Sequence, residues 1–406
     1  MNSCLLLNLY YTWGNGGVYM LARLKSSQSP DGRAKWNPAI HYHYKKTHDR
    51  SYQLSNFTRA YRSWFIQYIK SRIHPNEFRP LLSFLYTDLN CNLNCHYCYS
   101  WGKEIEGMTM QVAKDAVNWL QSVGCRVLAY MGGEPLIRKD FIIELTRYAA
   151  EKGFFVYLPT NGILMDESFI DEIGKAGVSV INLAVDAMDR YKGIPKYFNR
   201  IKPQFEYLVK QEKKYEYITF FNINITKHNV KDVKTLTEIA HEYGIATDYH
   251  INEPPLIEYD DFNHKQDGAW ITEAEFQAVD DLVDWLIEKN LGGYAMVNSV
   301  EHLRAMKLFI RRRLPPWPCL AGKSSMIIRL DGSFTPCMEL YGTDEDWGNI
   351  YDGHKFDPDR LTRQKQNCSP HCLSTCNFQV NHYSSSLINS LQWLAKHAYS
   401  NYLGVS

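Results

Sequence analysis

From Leu81 onward, short apolar or β-branched runs alternate with segments whose apolar residues recur at helical spacing, and this alternation confines the chain to a parallel sheet built from βα units. The strand candidates are Leu81 to Thr87, Arg126 to Met131, Phe154 to Pro159, Val178 to Asp186, Tyr217 to Thr226 and Ala246 to Ile251. Between them, Thr109 to Val123, Lys139 to Lys152, Asp166 to Ala176, Arg200 to Lys213 and Val230 to Tyr243 carry the helical spacing. Gly124, Gly153, Gly177 and Gly244 stand just past four of these helices, where a C-cap is expected. Six such repeats suit an open or partial (β/α)6 barrel better than a closed eightfold one.

Within a barrel strand covered by helices, polar residues of one parity face the lumen. Asn222, Asn224 and Thr226 share a parity, as do Asn182, Ala184 and Asp186, and Asp248, His250 and Asn252. Each set alone could be a satisfied core group or a strand-end cap; three sets together point to a polar ligand cavity.

The 406 residues are 45% apolar with a net charge of +1, which suits an enzyme-sized core and excludes disordered and fibrous classes. No apolar run reaches the roughly 18 residues of a membrane span, and the Cys4-Leu-Leu-Leu run lacks the flanks of a signal peptide, so a cytoplasmic chain is expected. The rhythm stops at Glu253-Pro254-Pro255, which closes an 81–253 core. A helical bridge over 254–314 follows, with helices at Thr272 to Lys289 and Val297 to Arg313; Asp280 and Asp281 are read as its wet face and Arg311-Arg312-Arg313 as a solvated helix end. Residues 315–380 are rich in Cys, Gly and Pro, carry too few periodic apolar residues for a core of their own, and so call for a metal. A last helix, Leu387 to Tyr402, falls in 381–406.

Ten cysteines are too sparse here for a disulfide scaffold, and their clustering favours metals. Cys91, Cys95 and Cys98 form one group; Cys319, Cys337, Cys368, Cys372 and Cys376 form another; Cys4 and Cys125 stand alone, and Cys125 reads as a buried small hydrophobe. Cys91-Asn-Leu-Asn-Cys95-His-Tyr-Cys98 follows the first core strand, at the barrel face that carries active sites. Three thiolates at this spacing can hold three irons of a four-iron cluster and leave the fourth open to a chelator. Zinc, the alternative, needs a fourth ligand, and His96 sits too close in sequence to fit comfortably. At the end of the next strand, Met131-Gly132-Gly133-Glu134-Pro135 lets backbone approach a ligand and poises a carboxylate for an ammonium group, although alone it could be only a tight turn.

These motifs resemble the radical S-adenosylmethionine (SAM) superfamily, whose signature is three cysteines spaced by three and two residues with an aromatic before the last, here Tyr97. The resemblance covers Leu81 to about Glu253. It implies a reduced four-iron four-sulfur cluster on Cys91, Cys95 and Cys98 that cleaves SAM to methionine and a 5'-deoxyadenosyl radical, which abstracts a substrate hydrogen. It further implies Tyr97 against the adenine and Gly132, Gly133, Glu134 and Pro135 at the methionine end. Thr160-Asn161-Gly162 resembles the segment after the third strand, and Asp186, in Ala184-Val-Asp186, the second member of a Ser-x-Asp pair whose first member is absent. Asn161, Asp186, Asn222, Asn224 and His250 complete the expected cofactor-binding set. A one-electron donor such as a flavodoxin or ferredoxin is implied; nucleic acid is not. The rival from another class is a non-catalytic zinc, iron-sulfur or electron-transfer protein.

Cys319, twelve residues, Gly332, four residues and Cys337 resemble the opening of the SPASM and twitch auxiliary-cluster domains, with the Asp331-Gly332 turn and Pro336 in place. Cys368, Cys372 and Cys376, spaced three and three, depart from the closing half of a full SPASM domain. Five thiolates suit one auxiliary four-iron cluster with a spare cysteine, and zinc is again the alternative. Such domains imply either a peptide or protein residue or a small metabolite as substrate.

Residues 1–80 hold twelve Lys or Arg against three Asp or Glu, a net +9 that leaves −8 for the remainder. This asymmetry suggests an anionic partner or an arm packed on its own acidic chain. Leu54, Phe57, Tyr61, Trp64, Phe65 and Tyr68 mark one face of a helix expected to pack on its own chain rather than lie on a membrane surface, with basic residues exposed around Lys45 and Lys46. The segment offers no strand-rich start of the kind that builds a leader-peptide domain.

Overall fold

A computed structural model describes residues 9–14, 17–22, 62, 64–74, 77–98, 106–253, 270–374, 377–379 and 381–382. Residues 1–41 and 42–406 are separate compact units. In the first, β1 (Leu9–Gly14) and β2 (Gly17–Ala22) pair antiparallel, with Gly14 opposite Gly17. These two strands form one hairpin, which the reading of no strand-rich start did not single out. The signal was present, since Asn15-Gly16 between two runs of aromatic and β-branched residues favours a two-residue hairpin.

In the second unit the six expected core strands are β3 (Leu82–Asp88), β4 (Val127–Gly132), β5 (Phe155–Thr160), β6 (Val180–Ala184), β7 (Ile218–Ile225) and β8 (Ala246–Ile251). They lie side by side in chain order, each parallel to the next. Between them run α2 (Met110–Ser122), α3 (Lys139–Glu151), α4 (Glu167–Lys175), α5 (Phe198–Tyr215) and α6 (Val230–Glu242), each starting and ending within two residues of its expected bounds. The four capping glycines all take positive φ. The sheet is mostly parallel, eight-stranded and open, which suits a partial barrel.

Strand parity sorts the two faces of the sheet. Leu85, Leu128, Tyr130, Val156, Leu158, Ile181, Leu183, Phe221, Ile223 and Tyr249 belong to the main core under the helices. The opposite parity forms the lumen, whose floor is apolar: Phe84, Tyr86 and Ala129 make one small cluster, Val180, Phe220 and Ala246 another. Toward the strand ends this face turns polar, with Asn222 beside Asp248 and Asn224 beside His250 in register.

The remaining two strands come from the cysteine-rich segment. β9 (Ser325–Ile328) runs parallel to β3, pairing Leu82 with Ser325 through Leu85 with Ile328, and β10 (Phe334–Thr335) turns back antiparallel on it. This segment, read as too poor in apolar residues for a core of its own, thus adds two strands to the core sheet. β11 (Gly348–Asn349) and β12 (Gly353–His354) form a small hairpin.

Helix α1 (residues 64–73) packs on its own chain: Tyr68 is buried, and Gln67 donates through Nε2 to the Val123 carbonyl at the end of α2, 2.8 Å away. Gly124 makes room, since a Cβ there would meet that Nε2 at 1.7 Å. Leu54, Phe57, Tyr61, Lys45 and Lys46 lie outside the described residues, as does the expected helix Leu387 to Tyr402. The bridge holds α7 (Phe276–Leu291) and α8 (Val300–Phe309). Here the reading of Asp280 and Arg311 as solvated is corrected: the guanidinium grips both oxygens of Asp280, at 2.9 and 2.7 Å, and joins the two helices. Asp281 accepts from Gln277 on the exposed face, as expected. Finally, α9 (Pro358–Cys368) has Asp357 as N-cap and Pro358 in its first turn. No helix among the described residues is long and apolar enough to cross a membrane.

Candidate active site

Cys91, Cys95 and Cys98 lie on the loop leaving the C-terminal end of β3, with free thiols; Cys95 is buried and the other two are half-buried. Burial pushes the Cys91 thiol up to about 11 and the Cys95 thiol up to about 12, with Cys98 adding to both shifts and Cys91 to that of Cys95. The three thus share one neighbourhood. Among the described residues no three Cys, His, Asp or Glu side chains converge closely enough to hold a single metal ion.

The next βα loop is fastened to this one by backbone. Gly133 N–H donates to the Asp88 carbonyl at 3.0 Å, and Glu134 N–H to the Asn90 carbonyl at 2.8 Å. Both glycines are required by this approach. A Cβ at Gly132, whose φ is +137°, would lie 1.8 Å from the Asp88 oxygen, and one at Gly133 would lie 2.0 Å from the Asn90 oxygen. Both glycines thus make room for the backbone that enters the cysteine loop.

Glu134 is buried and bound on both oxygens. Oε1 accepts from Leu136 N at 3.0 Å and Thr160 Oγ1 at 2.6 Å, and Oε2 from Asn161 N at 2.8 Å. Burial raises its pKa while these donors pull it back. It braces the ends of β4 and β5, and Pro135 begins the short 3-10 turn that follows. Asn161 extends the brace to the cysteine loop through Nδ2, which donates to Asn92 Oδ1 at 2.8 Å.

Across the mouth, the buried Tyr97 donates its hydroxyl to Asp186 Oδ2. Asp186 Oδ1 accepts from Asn224 N at 2.8 Å, so β6 and β7 both reach the cysteine loop. Burial raises the Asp186 pKa, opposed chiefly by Lys196. Deeper, Asn222 Nδ2 lies 3.0 Å from His250 Nε2, which is 3.4 Å from Asp248 Oδ2. Among the described residues, Asn182 Oδ1 and Asp248 Oδ1 are buried without a protein partner, and such acceptors suit donor groups of a ligand. Thr226 leaves this set, turning to Asn229 Oδ1 instead. The sequence reading missed Lys196 and Asn92. Lys196 stands in a non-periodic loop, and only its place after β6, at the same mouth, could have drawn attention to it.

The second cysteine group assembles in part. Burial is the largest influence on Cys319, Cys337, Cys368 and Cys372; beside it Cys319 and Cys368 act on Cys337, Cys319 acts on Cys368, and Glu253 and Cys337 act on Cys372. Lys365 Nζ donates to the Cys319 carbonyl at 2.6 Å. Glu253, just beyond β8, accepts from Leu373 N at 3.0 Å and ties this segment to the barrel end. Cys376 lies outside the described residues. Cys125 is buried, as expected.

Residues 89–257 match the family model of the radical SAM superfamily. The chain carries a radical SAM domain over these residues. An "AdoMet-dependent heme synthase" of Methanosarcina barkeri is 31% identical over 169 residues, 40% of this chain and 47% of that protein. An "Fe-coproporphyrin III synthase" of the same organism is 31% identical over 162 residues, 38% of this chain and 39% of that protein. The chain thus spans less than half the length of these relatives. Among solved structures, Streptococcus suis SuiB bound to precursor peptide SuiA aligns with a TM-score of 0.55 at 16% identity, over 79% of this chain and 73% of that one, a likeness of fold.

Proposed function

We propose that this radical SAM protein cleaves SAM reductively at a four-iron four-sulfur cluster held by Cys91, Cys95 and Cys98, and that the 5'-deoxyadenosyl radical abstracts hydrogen from a substrate. The observation that carries the reading is the backbone fastening of Asp88 and Asn90, which lead into the Cys91–Cys98 loop, to Gly133 and Glu134, with three free thiols following on that loop. The donor set fits the cluster, since three thiols are free and no disulfide removes them. When bound, the reduced cluster supplies the electron that breaks the SAM carbon–sulfur bond.

The chain's own residues do the positioning. Asn161 and Glu134 hold the cysteine loop from the β5 side, and Tyr97 and Asp186 hold it from the β6 side. Asn182, Asp248, Asn222 and His250 line the lumen with hydrogen-bonding groups, and the apolar floor beneath them limits water. In this reading Gly132, Gly133, Glu134 and Pro135 lie at the methionine end and Tyr97 against the adenine.

Cys319 and Cys337, with two of Cys368, Cys372 and Cys376, would hold one auxiliary four-iron cluster that accepts an electron from the substrate or binds it. The substrate is a peptide or protein residue or a small metabolite. Relatives named for haem synthesis favour the metabolite, and the fold neighbour captured with a precursor peptide favours the peptide. A flavodoxin or ferredoxin in a reducing cytoplasm would supply electrons, and an 81–253 core, a 254–314 bridge and a 315–380 cluster domain remain the proposed divisions. The test is anaerobic reconstitution followed by SAM and dithionite. Formation of 5'-deoxyadenosine, abolished in Cys95→Ala, is expected; a colourless, zinc-loaded protein that forms none would reject the proposal.

A further inference from the structure

We infer that Lys196 is the counter-charge of the Cys91–Cys95–Cys98 loop and sets the reduction potential of the cluster proposed there, an inference that rests on that proposal. The segment between β6 and α5 folds back over the cysteine loop. Asp186 and Ala187 N–H both donate to the Lys196 carbonyl, at 3.0 and 3.3 Å, and His96 N–H donates to the Gly193 carbonyl at 3.0 Å. Ile194 and Ala187 are buried in one small cluster with Cys95 and Tyr97. Lys196 is thereby delivered to the mouth, its ammonium 5.2 Å from the centre of the Tyr97 ring, whose hydroxyl is bound to Asp186.

The ammonium serves the whole group rather than one carboxylate. Cys91, Cys95, Glu134 and Asp186 each have Lys196 as their neighbouring cation, and among the described residues no ion pair within 4.0 Å ties it to a single partner. A fixed positive charge in a poorly solvated site stabilises the reduced, more negative form of any redox group bound by those thiolates. Removing it must lower the potential, whereas replacing it by another cation must not.

The test is a redox titration, without SAM, of the paramagnetic signal that disappears in Cys95→Ala, together with iron counts, in wild type, Lys196→Met and Lys196→Arg. The expected result is a more negative midpoint in Lys196→Met, a near wild-type midpoint in Lys196→Arg, and equal iron in all three. Loss of iron in Lys196→Met alone would also support a charge requirement. An unchanged midpoint in Lys196→Met, or equal shifts or iron losses in both variants, would overturn the inference and leave Lys196 a packing residue or a partner of Asp186. A wild-type protein with no such signal would instead reject the cluster proposal itself, and this inference with it.

Discussion

Asn161 donates its side-chain amide to Asn92 Oδ1 across 2.8 Å, and this one bond joins the end of β5 to the middle of the cysteine loop. The same side chain accepts from Ile163 N at 3.0 Å. Asn161→Ala removes both bonds, so a loss of about 2 kcal/mol is expected in denaturant unfolding of the metal-free protein. Iron retention after reconstitution should fall in parallel; unchanged stability would show that the bond carries no net energy.

Gly133→Ala is expected to be far more damaging than its size suggests. Its Cβ would sit 2.0 Å from the Asn90 carbonyl oxygen, where backbone must move. Several kcal/mol of destabilisation, or insoluble protein, follows. Gly353→Ala is the control: its φ of +89° carries strain, but nothing lies within 4 Å of its Cβ, so it should cost only about 1 kcal/mol. Thermal unfolding of the two variants side by side checks the ranking.

The bidentate pair of Arg311 with Asp280 links α7 to α8 while only partly exposed. A double-mutant cycle with Arg311→Ala and Asp280→Ala should return a coupling of about 1 kcal/mol. Zero coupling would restore the view of both residues as solvated.

His354 packs against Phe78 and Phe334 with its Nδ1 unbonded among the described residues, and burial, the main cause, lowers its pKa from 6.5 to about 4. Between those values the unfolded chain binds a proton that the folded chain does not. Stability from this residue is therefore fully present above about pH 6.5 and lost as pH falls toward 4, on the order of 3 kcal/mol in all. In His354→Phe this loss should vanish from unfolding curves measured at pH 7, 5.5 and 4.5.

If the two cysteine groups bind separate clusters, the Cys91, Cys95 and Cys98 triple alanine variant should keep about four irons per chain. Loss of all iron would contradict an independent auxiliary site.

The six core strands were legible because each is a run of five to eight residues flanked by helices with clear apolar spacing. Ser325 to Ile328 was not legible, because four residues without alternation give no period, and only the open edge of β3 makes them a strand. The cysteine motif announced its own loop, and the Gly-Gly pair its close approach, but not what it approaches. That Asp88 and Asn90 carbonyls fill that space depends on the register of β3 against β4, which no local pattern encodes. Lys196 was invisible for the same reason: besides Asp186 nearby, its charge acts on Cys91 and Cys95, about a hundred positions away in the chain.

The pairing of β9 with β3 makes the distance between the two cysteine groups a property of a sheet rather than of a tether. Cys91 follows β3 by three residues, and Cys319 and Cys337 bracket β9 and β10. Sliding one group relative to the other would break a four-residue parallel ladder and bare the edge of the barrel. Electron transfer between sites mounted this way would run over a fixed gap at every turnover. Excising the C-terminal cysteine segment would therefore strip two strands from the sheet and leave β3 as a bare edge.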